Sequence, residues 1–314
     1  MVAYWLRHYA SVWADEVDEL RVQVCGETTP EIIAYLEGLV AGVPHATMTF
    51  YPIRLDHGTA IGHLVRATTA DHIMLCEDDA YVRRPGAVDA AFRRVESGET
   101  DIVACPRGSA EPEIITAAIA AFGDEQLSSG EMGPLFWPCF LFVSHANLDR
   151  TDGHFSARDY KAGEIVEPLG HVASENICAD TFGSASLQLR GLGLRVHLEP
   201  EYRADRAKMV GWAAVAQWFH IGSLSAGYRI AWLNGKTPEE LQSFAEAQTG
   251  GADDWCKRIA WLRRIWLEWD GALPELHEAY GREMEAFVTA AAFDPATIAD
   301  WDHKLGLYTE ALSR

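Results

Sequence analysis

The sequence predicts an α/β layered protein with a mainly parallel sheet flanked by helices and a helical C-terminal appendage. Three observations carry this. Strand-like and helix-like stretches alternate through the first two-thirds of the chain, the rhythm of βαβ units. One apolar strand runs straight into three consecutive acids, Glu77-Asp78-Asp79. Beyond about residue 230 the pattern turns helical, with a tryptophan stripe.

The elements follow in order. Tyr4 to Asp15 reads as a helix. Leu20, Val22 and Val24 alternate with Arg21 and Gln23, the period of two of a half-buried strand that ends at Gly26. Pro30 to Leu39 is predicted helical, because proline suits a first turn and Ile32, Ile33, Leu36 and Leu39 share one face. Ala46 to Tyr51 is the next strand. Thr59 to Thr68 carries Ile61, Leu64 and Val65 at helical spacing, and His72 to Cys76 is the strand that meets the acids. A helix after Pro85 buries Val88, Ala91, Phe92 and Val95, and strands are expected at Asp101–Cys105 and Phe136–Val143. Ser174 to Leu192 reads as a helix closed by Gly193, with Leu194–Leu198 as a strand after it.

In the tail, Thr237-Pro238-Glu239-Glu240 is a helix start, with a threonine cap and a glutamate three residues on. Trp255, Ile259, Leu262, Trp266 and Trp269 form one stripe of a helix that Gly271 and Pro274 stop, and another helix fits Pro274 to Ala290. The stripe either docks on the α/β body or forms a homodimer interface. The length of 314 residues suits one large domain or two modest ones, divided here as 1–228 and 229–314.

Composition narrows the classes. With 48% apolar residues the chain can bury a core, which excludes a disordered or low-complexity polymer. The net charge of −20 repels phosphate backbones and anionic headgroups, so nonspecific nucleic-acid binding is not expected. No run approaches the ~20 apolar residues that span a bilayer, and the opening residues lack a secretion-signal pattern. Six scattered cysteines without a CxxC pair suggest reduced thiols. A cytoplasmic protein is expected.

The acid triplet carries the chemistry. Side chains alternate along a strand, which would send Glu77 and Asp79 to one side and Asp78 to the other. Three adjacent carboxylates repel one another unless a cation or good donors neutralise them. In open α/β sheets ligands gather beyond the carboxyl ends of the strands, where these acids belong. Oxygen-only donors favour Mg²⁺ or Mn²⁺, shared with substrate phosphates.

On these residues the chain resembles the GT-A glycosyltransferases, Rossmann-like enzymes, and among them the family-2-like members, whose Asp-x-Asp or Glu-Asp-Asp signature closes a buried strand. Asp56-His57-Gly58 followed by Gly62-His63 resembles the family's n-x-G-x-a-x-a-R-N segment, which implies donor-binding roles for Asp56, Gly58 and His63. Tyr81-Val82-Arg83-Arg84-Pro85-Gly86 resembles the exit into a helix beneath the site, and Trp218-Phe219-His220-Ile221-Gly222-Ser223 the late histidine segment. Asp180, ahead of Leu187-Gln188-Leu189-Arg190 and Gly193, resembles the acid of the E-D-x-x-L-x-x-R-x-x-x-G segment. The resemblance spans roughly residues 1 to 228. One departure stands out: members open with an apolar strand and a T-x-N-R loop, whereas this chain begins inside a helix, so the start is truncated or that strand is supplied otherwise.

The resemblance implies a metal-dependent, inverting transfer of a sugar from a nucleoside diphosphate donor to an acceptor hydroxyl. Asp79 and His220 would hold the metal, Glu77 would act indirectly or through water, and Asp78 would contact the nucleoside and sugar. Asp180 is the candidate base and Glu175 the reserve, and their spacing of five puts them on different faces of one helix. Asp180 read alone also suits a helix cap. Arg83 and Arg84 either neutralise phosphates or pair with the acids beside them. A nucleotidyltransferase would need a glycine-rich basic loop that the sequence lacks. Two alternatives remain: a glycosyltransferase acting on modified bases in DNA, and a catalytically silent nucleotide-sugar-binding or scaffold protein.

Overall fold

A computed structural model describes residues 2–26, 28–106, 111–123, 135–199, 201–203, 218–220, 237, 239–240, 243, 251–268 and 271–312. The chain opens with α1 (Val2–Val12), a 3₁₀ turn (Ala14–Glu16) and β1 (Leu20–Cys25). There follow α2 (Pro30–Ala41), β2 (Ala46–Tyr51), α3 (His57–Ala67), β3 (His72–Cys76), β4 (Ala80–Val82), α4 (Ala87–Glu96), β5 (Ile102–Pro106), α5 (Pro112–Phe122), β6 (Phe136–Ser144) and α6 (His145–Leu148). Four short strands come next: β7 (Arg158–Tyr160), β8 (Ile165–Val166), β9 (His171–Val172) and β10 (Ile177–Ala179). The remainder is α7 (Gly183–Gly191), β11 (Val196–Leu198), β12 (Glu201–Arg203), β13 (Trp218–His220), α8 (Gly251–Leu267), α9 (Pro274–Ala290) and α10 (Pro295–Leu312).

The architecture is mixed α/β, and the expected mainly parallel sheet needs correction. The central sheet has the order β11-β5-β6-β3, with β11 parallel to β5 but β6 antiparallel to both of its neighbours. β6 is a nine-residue apolar run buried along nearly its whole length. A strand covered on both faces shows no alternation, so its residues reveal that it is central and nothing of its direction. β1 and β2 form a separate parallel pair, and β12-β13-β4 a third sheet in which β13 runs against β4.

Local chemistry explains the helix ends. Thr29 caps α2 by accepting the Ile32 N–H, and Asp56 caps α3 by accepting the Thr59 N–H. At α4 the cap comes from afar: the Glu16 carboxylate accepts the N–H groups of Gly86 (2.7 Å) and Asp89 (3.0 Å). The helix expected over Ser174–Leu192 is a second correction. It divides into β10, which pairs antiparallel with β7, and α7, which starts only at Gly183.

The tail packs into the body. Trp255, Ile259 and Leu262 are buried, together with Trp261, in one hydrophobic core with Trp5, Tyr9, Tyr81, Val88 and Phe142. The Trp261 ring meets the edges of Tyr4 and Tyr81 at 5.9 and 5.3 Å between centroids. The apolar stripe offered as a dimer face is thus covered within the chain. Trp269 lies outside the described residues. Thr237 and Glu240 exchange the two hydrogen bonds of the expected capping box, 2.6 and 3.3 Å. No described helix is long and apolar enough to cross a membrane.

Candidate active site

β3 buries Ile73 and Leu75 and stops at Cys76, so Glu77-Asp78-Asp79 form a turn between two sheets, closed by the Ala80 N–H donating to the Glu77 carbonyl at 3.1 Å. The alternation expected of these acids therefore fails. A turn is free of the strand's period, and all three carboxylates line one cleft of about 1720 Å³, Asp79 the most buried of them. The chain does not pass straight into a helix after the acids; fully buried β4 intervenes. α1 pins β4 from outside the sheet: Trp5 Nε1 donates to the Ala80 carbonyl at 2.8 Å and His8 Nε2 lies 2.8 Å from the Val82 carbonyl. A carbonyl only accepts, so His8 carries its proton on Nε2. Burial lowers the His8 pKa, with the bond to Val82 opposing in part. Tyr81, buried under Trp261, donates its hydroxyl to the Asp78 carbonyl at 3.4 Å. The acid turn thus stands on a rigid aromatic footing.

Its electrostatics match the crowding. Burial first, and then the charge of Asp79, push the Asp78 carboxyl up to about 6; Glu77 adds to the rise, while His57 opposes it. His57 Nε2 sits 3.5 Å from Glu77 Oε1. His57 was given no role from the sequence, although it stands inside the quoted Asp56-His57-Gly58 segment.

The other expected residues divide. Asp56 lines the cleft but is engaged as the α3 cap, with the Ser156 and Thr59 hydroxyls also donating to it. Those bonds, Ser156 first, lower its pKa to about 2. Gly58 and His63 do not line the cleft. A Cβ on Gly58 would lie 2.0 Å from the Ser156 nitrogen, so this glycine serves a close backbone approach, and His63 tilts against Tyr51 at 5.1 Å. Glu175 is exposed in the turn before β10 and is not among the cleft residues. Asp180 ends β10 and lines the cleft. Its Oδ1 accepts the Thr181 N–H, and its carbonyl accepts the Gly183 N–H, both at 2.7 Å. The turn is held by Phe182, whose φ of 63° is unusual for a residue with a Cβ and which is buried in a stack on Phe155. Asp180 and Glu175 are therefore separated by a strand, and the cap of α7 is Phe182. His220 is in register with Ala80 across the β13–β4 ladder, which brings its backbone beside Asp79; its side chain lies outside the described residues.

Two cations on α8 were not foreseen. Lys257 and Arg258 are almost wholly buried and line the same cleft, with Asp253 one turn before them. In the sequence they are ordinary charges on a tryptophan helix, and only the packing of that helix reveals where they lead. Among the described residues no three His, Cys, Asp or Glu side chains converge as a closed metal cage. The hard oxygen donors fit a cation held by one or two carboxylates and completed by substrate phosphates, the usual Mg²⁺ arrangement.

No family model and no curated protein matches the sequence. Among solved structures, residues 1–349 of S. aureus TarS superpose on 96% of this chain and 86% of their own, with 10% identity and a TM-score of 0.39. That likeness is too loose to assign a fold family or an activity.

Proposed function

We propose that this protein is a glycosyltransferase that moves a sugar from a nucleoside diphosphate donor to an acceptor hydroxyl, with inversion and with Mn²⁺ or Mg²⁺ bound. The observation that carries the reading is the gathering of Glu77, Asp78 and Asp79 in one cleft at the carboxyl end of β3, with Asp78 held toward its protonated form. Asp79, with His220 in register with the adjacent Ala80, would hold the cation, which when bound offsets the negative charge of the departing diphosphate. Asp78 would orient the donor's ribose and sugar. Lys257 and Arg258 supply positive charge to a cleft otherwise rich in acids. Asp180, on the cleft wall, would take the proton from the acceptor hydroxyl.

The test is thermal unfolding with Mn²⁺ and a panel of nucleoside diphosphates, followed by turnover of the matching sugar donors. The reading expects stabilisation by one diphosphate together with metal, lost in Asp79→Ala, and release of that diphosphate from its sugar donor. Stabilisation without turnover would point to a silent binder, and no stabilisation by any pair would overturn the reading.

A further inference from the structure

His57 and Asp180 line one cleft but come from parts of the chain far apart in sequence, and a single short segment is bonded to the supports of both. His57 stands in the first turn of α3, with Nε2 3.5 Å from the Glu77 carboxylate. Asp180 follows the last residue of β10. Phe155 and Ser156 meet both supports without lining the cleft themselves.

The contact with α3 is tight. The Ser156 hydroxyl donates to Asp56 Oδ1, the same oxygen that caps the helix by accepting the Thr59 N–H at 3.1 Å. This bond does most to hold the Asp56 carboxyl down at about 2, so the cap is ionised at neutral pH. Beside it the two backbones almost touch: a Cβ on Gly58 would lie 2.0 Å from the Ser156 nitrogen and 2.3 Å from the Phe155 carbonyl carbon. Only glycine fits there.

The contact with the Asp180 turn is as direct. The Phe182 N–H donates to the Phe155 carbonyl at 2.7 Å, and the two buried rings stack 5.4 Å apart, 7° from parallel. Both contacts hold Phe182 at its φ of 63°, the residue about which the Asp180 turn closes. β7 and β10 pair from Arg158 and Ala179 outward, so the Phe155–Phe182 bond also closes the base of that ribbon.

We propose that Ser156 is a positioning residue that sets Asp180 against the acid turn: its hydroxyl ties the first turn of α3, with His57 at Glu77, to the segment that holds the Asp180 turn. The role in transfer rests on the donor reading, which makes Asp180 the base, whereas the link itself does not. Proton transfer demands hydrogen-bond reach, and a misplacement of about 1 Å can cost about 10²-fold. A support behind the wall fixes that distance without touching substrate.

The experiment compares wild type with Ser156→Ala, which removes only the hydroxyl, and Gly58→Ala, which forces the same two backbones apart. Hydrogen exchange at the Thr59, Phe182 and Gly183 amides reads the link with no nucleotide present. Both variants are expected to speed exchange at all three by about tenfold, and in Ser156→Ala the Asp56 carboxyl, followed by NMR, should titrate above its wild-type value of about 2. Ser156→Ala decides alone if Gly58→Ala does not fold. Faster exchange at Thr59 only would make Ser156 a local cap and overturn the proposal. Steady-state kinetics with the donor found by the diphosphate panel then read the positioning: Ser156→Ala should lower kcat for transfer about tenfold and leave the donor KM unchanged. Equal kcat in the two proteins would overturn the role in transfer. A wild type that turns over no donor, with exchange coupled as expected, would overturn the donor reading and the role in transfer together while confirming the link.

Discussion

Replacing Asp78 with asparagine keeps the side chain's shape and removes the charge that burial and Asp79 disfavour. Raising a carboxyl from 3.8 to about 6 costs its ionised form about 3 kcal/mol. The sign is set by where the proton goes. Above pH ~6 the side chain is ionised folded and unfolded, and the folded state bears the whole cost; below pH ~4 it is protonated in both, and the cost vanishes. Asp78→Asn should therefore be more stable than wild type by up to about 3 kcal/mol at pH 7.5, a rise in Tm of about 5 °C for a chain of this size. The advantage should shrink steadily on acidification and be gone near pH 4. The loss of stability that neutral, buried His8 brings below its ordinary pKa is common to both proteins and cancels in the difference. Thermal unfolding of both proteins from pH 4 to 8 measures this. A variant no more stable than wild type at pH 7.5, or an advantage independent of pH, would refute the assigned crowding.

Other expectations follow from the same geometry. Asp180→Asn should bind a nucleoside diphosphate with Mn²⁺ as wild type does, while transfer falls by about 10²–10⁴, read as separate binding and turnover measurements. Trp261→Ala should cost about 3–5 kcal/mol in denaturant unfolding, because Trp261 fills the core between α8 and the Tyr81 footing of the acid turn. Trp5→Phe leaves the Ala80 carbonyl without its indole donor and should cost about 1–3 kcal/mol in the same assay.

The parts legible in the sequence share one property: a half-buried strand or a helix buried on one face writes its own period. β2, β3 and α9 match their expected bounds for that reason, and the acid triplet was legible because an apolar strand announces where it ends. β6 was legible as a strand but not in direction, since burial on both faces erases the alternation. The stretch around Asp180 misled because its partner, β7, is distant in sequence. Ile177 and Ala179, buried on either side of Cys178, were the period-two signal that a helical reading passed over. Gly58 and His63 fitted a motif by spacing, but spacing says nothing of Ser156 or Tyr51, the groups they meet. Lys257 and Arg258 acquire meaning only through tertiary packing, which no local pattern encodes.

The merging of α8 with the interior beneath β4 bears on how the chain can be engineered. Cutting it near residue 228 would strip Tyr81 and Trp5 of their cover, leaving a sticky fragment in place of an autonomous catalytic module. A graft that swaps the last third between homologues must carry its tryptophan sockets along.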